Sequence, residues 1–182
     1  MDGTFSENDI SRVVEADRAH IWHHLSQHKA YETTDPRIIV EGKGMRVWDQ
    51  KGKEHLDAVS GGVWTVNVGY GRQEIAKAIA DQARELAYYH SYVGHGTEAS
   101  ITLSKMILDR APANMSKVYF GLGGSDANET NVKLIWYYNN ALGRPAKKKI
   151  ISRWRGYHGS GLVTGSLTGL ELFHKKFDLP LS

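Results

Sequence analysis

Between Tyr119 and Asn140 the chain reads YFGLGGSDANETNVKLIWYYNN. A short β-type run ends in Gly121, Gly123 and Gly124, and a serine, an acid and a long helix-compatible stretch follow. A turn so free of side chains lets another group come close to the main chain. The flanking segments give it a context. Val118–Phe120 is predicted as a strand, Ser125 or Asp126 as the cap of a helix running to about Leu142, and Lys149–Trp154 as the next strand. Gly143 and Pro145 end the helix in the usual order. Strand, turn, helix and strand make a βαβ unit, which implies an α/β fold with a parallel sheet and a right-handed crossover.

The N-terminus of such a helix carries unpaired N–H groups and about half a positive charge. Two readings of the turn follow: a phosphate site with Ser125 as an added hydroxyl donor, or an ordinary strand-to-helix turn with a serine cap. Known phosphate motifs narrow the first reading. A P-loop needs lysine before its serine or threonine, whereas Ser125 is followed by Asp126. A dinucleotide fingerprint starting at Gly121 needs glycine or alanine at 126 and an acid after the second strand. The chain has Asp126 and Ser152-Arg153-Trp154-Arg155 there, which disfavours a nicotinamide site.

The rest of the chain supplies the surroundings. Residues 1–35 read as a helical arm, in which His20, His24 and His28 at i, i+4 and i+8 share a face, either a metal site or a polar, subunit-facing surface. Arg37–Val59 alternates as a meander of two or three strands, with turns at Gly44 and at Asp49–Gly52. Ser60–Gly71 is a glycine-rich loop whose Trp64 is either a pocket wall or a core plug. Gln73–Leu86 is predicted helical on the stripe Ile75, Ile79, Ala83 and Leu86, and Thr97 caps a helix to about Arg110. Both would cover the sheet. Tyr88–Gly96 is an aromatic loop, and Arg155–Gly169 is loop followed by a short helix.

Composition sets outer bounds. With 182 residues, 41% of them hydrophobic, a packed core is within reach. The net charge of +3 is scattered, with Lys147–Lys149 the only basic run, so a nucleic-acid binder is disfavoured. The chain has no cysteine, hence no disulfide and no thiolate metal site, which fits a reducing compartment. The opening Met1-Asp2-Gly3-Thr4 is no secretory signal, and no apolar run nears the roughly 18 residues of a membrane span. A soluble, cytoplasmic protein is expected.

Four stretches in register resemble one family. GGSDANET (123–130), GVWTVNVGYGR (62–72), YYHSYVGHG (88–96) and RGYHGS (155–160) are similar to segments of class III (ω-type) pyridoxal-phosphate-dependent aminotransferases, and the GMRVWDQKGKEHLDAVSG meander agrees. The resemblance covers about residues 20–175 and lies nearest the amine:pyruvate and taurine:pyruvate types. It implies the N-terminal part of a fold type I enzyme: arm and meander of the small domain (1–60), then the first βαβ units of the large mixed-sheet domain (61–182). It implies pyridoxal 5′-phosphate as cofactor, with Gly124 and Ser125 at its phosphate, Tyr157 stacked on its ring and His158 beside it. Trp64 and Tyr92 would line the substrate pocket, with a hydroxyl at Tyr92 where many relatives carry phenylalanine. Leu122 and Gly123 stand where relatives often have serine or asparagine, removing one hydroxyl donor. The implied reaction moves an amino group from a primary amine or ω-amino acid to an α-keto acid such as pyruvate, in a homodimer.

The Schiff-base lysine and the pyridinium-pairing aspartate of that family lie beyond the segment matching RGYHGS. No residue of this chain is nominated as catalytic, and the 182 residues alone are expected to lack transaminase activity. The other function class is a non-catalytic phosphate- or nucleotide-binding α/β module, or a fragment that assembles with another chain.

Overall fold

The computed structural model describes residues 6–181. They fall into two compact units, parted between His90 and Ser91.

The first unit opens with α1 (Glu7–His20), capped by Ser6, whose hydroxyl accepts from Asp9 N–H at 3.2 Å. The helix stops at His20. Ile21 is extended, Leu25 takes a left-handed φ of 51°, and a short 3-10 turn covers His28–Glu32. The expected face of His20, His24 and His28 therefore does not form. Side chains compete with the helix here: a ring nitrogen of His23 pairs with Asp17 Oδ1 at 2.8 Å, and one of His28 with the His23 carbonyl at 3.1 Å. Residues 1–5 of the expected arm lie outside the described residues.

The meander forms as its alternation predicts. β1 (Ile39–Lys43), β2 (Arg46–Asp49) and β3 (Glu54–Leu56) make an antiparallel sheet in the order β1-β2-β3. Lys43 pairs Arg46 across a two-residue loop in which Gly44 has a φ of 58°. The second turn is organised by Asp49: its carboxylate accepts the Lys51 and Lys53 N–H groups at 3.0 Å each and pairs with His55 Nε2 at 2.8 Å. The His55 hydrogen bond is the main reason its carboxyl is held below the usual range. Buried Gln50 ties the lead-in segment to the sheet, accepting from Ile38 N–H and donating to the Pro36 carbonyl, both at 2.9 Å. A glycine-rich turn follows, and then α2 (Gln73–Leu86), with the predicted bounds.

The second unit contains α3 (Glu98–Leu108), capped by a reciprocal Thr97–Ser100 box, α4 (Gly124–Ala141) and α5 (Leu162–Leu167). Past the end of α4, Gly143 takes a φ of 69°. Trp136 Nε1 donates to the Lys148 carbonyl at 3.0 Å, and Lys148 Nζ to Asn140 Oδ1 at 2.5 Å. Segments 118–120 and 149–154 carry no strand, apart from an isolated parallel bridge of Trp154 with Gly169. The expected βαβ strands are thus absent as ladders among the described residues. A parallel strand needs a hydrogen-bonded neighbour along its length, and beyond that one bridge no described segment offers it.

Thr164 and Thr168 are fully buried and close the loop before α5. Thr168 Oγ1 accepts from His158 N–H and lies within donating distance of the Gly159 carbonyl, both at 2.9 Å. The apolar stripes are laid out but little covered. Besides Pro36, only Val14, Val47 and Val132 are buried apolar side chains among the described residues, while Ile79 on α2 and Ile101 on α3 are about two-thirds exposed. The chain exposes 15494 Å² for a mass of 20.3 kDa. Two separate compact units of half that mass would together expose about 10,600 Å². No helix among the described residues is long and apolar enough to cross a membrane.

Two outcomes follow from these contacts. Thr168→Val keeps the shape but leaves the His158 N–H and Gly159 carbonyl without their partner, at a cost of about 1–3 kcal/mol. The urea midpoint of the second unit falls with an unchanged slope. For Asp49, whose pKa is depressed on folding, the stabilisation is complete above the ordinary carboxylate range and is lost as pH falls through the depressed value. The Lys51 and Lys53 amide resonances move together on acidification, and in Asp49→Asn that acid-dependent movement is absent.

Candidate active site

The glycine turn leads directly into α4. Gly123 is the N-cap with an extended backbone (φ 174°, ψ −177°) and no side chain caps the helix, so the cap expected from Ser125 or Asp126 does not form. The cap falls two or three residues earlier than expected, so that the helix starts at Gly124, and its first backbone bond runs from Ala127 N–H to the Gly123 carbonyl at 2.9 Å. The N–H groups of Gly124, Ser125 and Asp126 have no acceptor among the described residues. A Cβ built at Gly123 or Gly124 would meet nothing within 4 Å, so the approach to these amides is open. The Asp126 carboxylate is drawn back across the turn, accepting from Leu122 N–H at 3.0 Å.

One face of α4 then fastens a second loop. Ser125, Asn128 and Glu129 lie at i, i+3 and i+4 and therefore project together. Ser125 Oγ accepts from Ser160 N–H at 3.2 Å, which leaves the hydroxyl proton available. Asn128 Nδ2 donates to the His158 carbonyl at 2.9 Å. Glu129 Oε1 accepts from Thr164 N–H at 2.9 Å and from its hydroxyl at 3.1 Å. The loop bearing Tyr157 and His158 is thereby fixed beside the free amides. Close packing at Gly159 reports the same fit: a Cβ there would lie 2.8 Å from Ser125 Oγ and 2.5 Å from Thr164 Oγ1.

Tyr157 is 58% exposed, and its ring meets Phe173 at 5.4 Å between centroids with a tilt of 58°. His158 Nε2 is sealed from solvent and has no hydrogen-bond partner among the described residues. The sequence-predicted residues Gly124, Ser125, Tyr157 and His158 all belong to the second unit and are joined through the α4 face. Trp64 lies in the first unit on the glycine turn and is 75% exposed; Tyr92 lies in the second, on a short 3-10 turn (Tyr92–Gly94), and is 73% exposed.

Sequence reasoning missed Asn128, Glu129, Thr164 and Thr168. The signal for the first two was the S-x-x-N-E spacing on a predicted helix; the threonines lie in a small-residue segment with no periodicity to mark them.

The donor set suits a phosphate ester. Three convergent N–H groups at a positive helix end, one hydroxyl and no obstructing Cβ can take an anion, and a half-exposed tyrosine on the adjoining loop offers a face to a flat ring.

The Aminotransferase class-III family matches residues 27–180. The chain is 52% identical over 172 residues to a diaminobutyrate–2-oxoglutarate transaminase of Halomonas elongata, covering 93% of this chain and 36% of that protein. It is 51% identical over 164 residues to a hypotaurine/taurine–pyruvate aminotransferase of Paracoccus denitrificans, covering 90% and 35%. Its fold is similar to an ω-transaminase of Pseudomonas jessenii solved with PMP, with a TM-score of 0.90, 41% identity, and coverage of 93% of this chain and 37% of that one. The chain thus spans a little over a third of the length of these relatives, and it belongs to the class-III aminotransferases.

Proposed function

We propose that this chain forms the phosphate-binding and substrate-side part of a pyridoxal-phosphate-dependent transaminase. The observation that carries this reading is the set of unpaired Gly124, Ser125 and Asp126 amides held beside the Tyr157 loop. Gly124 and Ser125 bind the phosphate through main-chain N–H groups, and the Ser125 hydroxyl adds a third donor. Tyr157 lies over the pyridine ring, and His158 supports that loop from beneath. When bound, the cofactor supplies an aldehyde to take up the amino group and an electron-withdrawing ring. Trp64 and Tyr92 are each substrate-side residues, and the Tyr92 hydroxyl makes its own surroundings more polar than phenylalanine would.

The amino donor is a primary amine or ω-amino acid, and the acceptor an α-keto acid such as pyruvate. The relatives' activities, on taurine with pyruvate and on diaminobutyrate with 2-oxoglutarate, support that class. None of the lysines here is assigned as the proton-carrying amine. Lys133 lies nine residues into α4, about 13 Å along the axis from the free amides. Lys148 is engaged with Asn140 and the Trp136 carbonyl. The arm and meander (1–60) belong to the small domain and residues 61–182 to the large one. The working form is a cytoplasmic homodimer, in which the uncovered apolar stripes find partners.

Titration of the chain with pyridoxal 5′-phosphate, followed by tyrosine and tryptophan fluorescence, is expected to saturate and to be competed by inorganic phosphate. A folded sample that gives no response removes the reading. Ser125→Ala deletes a hydrogen bond to a charged group, about 1.5–3 kcal/mol, which corresponds to roughly ten- to a hundred-fold weaker binding. Tyr157→Phe keeps the ring face and retains affinity. Tyr157→Ala loses about 0.5–1.5 kcal/mol of stacking, a reduction of roughly two- to ten-fold that should appear for pyridoxal phosphate and not for inorganic phosphate.

A further inference from the structure

The turn that carries Trp64 is held in a costly conformation. Residues 60–64 form one wide turn in which Ser60, Gly61, Gly62 and Trp64 all take positive φ, at 54°, 80°, 83° and 63°. Two glycines adopt that region freely, but a tryptophan there needs its surroundings to hold it. The backbone supplies part of the hold: Trp64 N–H donates to the Val59 carbonyl at 2.8 Å and Thr65 N–H to the Ser60 carbonyl at 2.7 Å. The indole contributes none of it. It is 75% exposed and makes no hydrogen bond or ring contact among the described residues.

The start of the turn is held by Asp57. Its carboxylate accepts from Val59 N–H at 3.1 Å, from Gly61 N–H at 2.6 Å and from the Tyr70 hydroxyl at 2.7 Å. Tyr70 is itself anchored to the meander. Its N–H and carbonyl pair with Gly44 at 2.8 and 3.1 Å, and its ring packs so closely on β1 that a Cβ at Gly42 would lie 2.6 Å from it. The Gly61 and Tyr70 bonds lower the pKa of the Asp57 carboxyl, and the bond to Asp57 raises that of the Tyr70 phenol, as hydrogen bonding between them requires. One carboxylate therefore ties the start of the turn to a tyrosine anchored on the sheet.

The geometry points to Asp57 and Tyr70 as positioning residues that hold the backbone of the turn, and so the place from which the Trp64 indole meets the amine. This inference rests on the reading of Trp64 as a substrate-side residue. The carboxylate–phenol pair contributes no atom to the reaction. It sets where an apolar wall stands, so it governs which amine side chains fit. A turn of two glycines has no stiffness of its own and needs such an anchor.

The test uses the chain labelled with 5-fluorotryptophan and read by fluorine NMR, with the Trp64 resonance assigned by its loss in Trp64→Phe. Tyr70→Phe removes a single hydroxyl. The expected result is that the Trp64 resonance shifts or splits while those of Trp48, on β2, and Trp136, on α4, stay in place. An unmoved Trp64 resonance overturns the inference. If all three move in Tyr70→Phe, Asp57→Asn decides, because it keeps the size of the side chain while its single amide oxygen replaces the two that serve Val59, Gly61 and Tyr70, and the bond to Tyr70 loses its charge. Movement of Trp64 alone in that variant supports the positioning role; movement of all three, or of none, overturns it. Adding 1-phenylethylamine with pyridoxal 5′-phosphate to the unsubstituted chain separates the two readings. A Trp64 resonance that responds to the substitutions and ignores the amine removes the substrate-side reading and leaves the clamp standing.

Discussion

The grip of one face of α4 on the loop from His158 to Thr164 is the interaction on which the candidate site depends. A helix N-terminus alone is a partial positive charge with several unpaired donors, and almost every helix has one. Here the same helix that presents the donors also fixes, through Ser125, Asn128 and Glu129, the loop that carries Tyr157. Donors and aromatic face are therefore parts of one rigid body, related by side chains one helical turn apart. Thr164 and Thr168 complete the arrangement from inside the loop, where no water reaches. Hydroxyls suit such an interior, since each can donate and accept at once and a short side chain loses little freedom on burial.

The first unit uses a carboxylate for the same end. Asp49 gathers two amides and an imidazole at the β2–β3 turn, and Asp57 gathers two amides and a phenol at the Trp64 turn. In both places an ionised oxygen pair satisfies main-chain donors that irregular backbone leaves unmatched. Local order in the described residues comes from such hubs and from capped helices more than from a hydrophobic core. The three buried valines and the large accessible surface are two views of that fact.

Much of this was legible in the chain itself. The bounds of α2, the Thr97 cap of α3, the meander with its two turns and the Gly143 stop of α4 all follow from periodicity and punctuation, because each depends on residues a few positions apart. The membership in the class-III aminotransferases was equally legible, because four motifs kept their order and spacing. The departures have physical causes. The histidine face fails because Asp17 and the His23 carbonyl draw imidazoles into local bonds that end a helix. The cap of α4 falls at Gly123 because three glycines make extended backbone there as easy as a serine cap. The strands expected at 118–120 and 149–154 rest on residue type, but a ladder belongs to a pair of segments and residue type describes only one.

Local order was thus determined by the sequence: where helices begin and stop, where glycines bare the main chain, and which family the pattern matches. The tertiary structure alone decided that Glu129 meets Thr164, thirty-five residues on, that Asp57 reaches Tyr70, and that the amides of Gly124 to Asp126 stay unpaired among the described residues. Short-range preferences are set by each residue's own sterics and hydrogen bonding. Which distant donor meets which acceptor depends on chain paths that no local preference encodes.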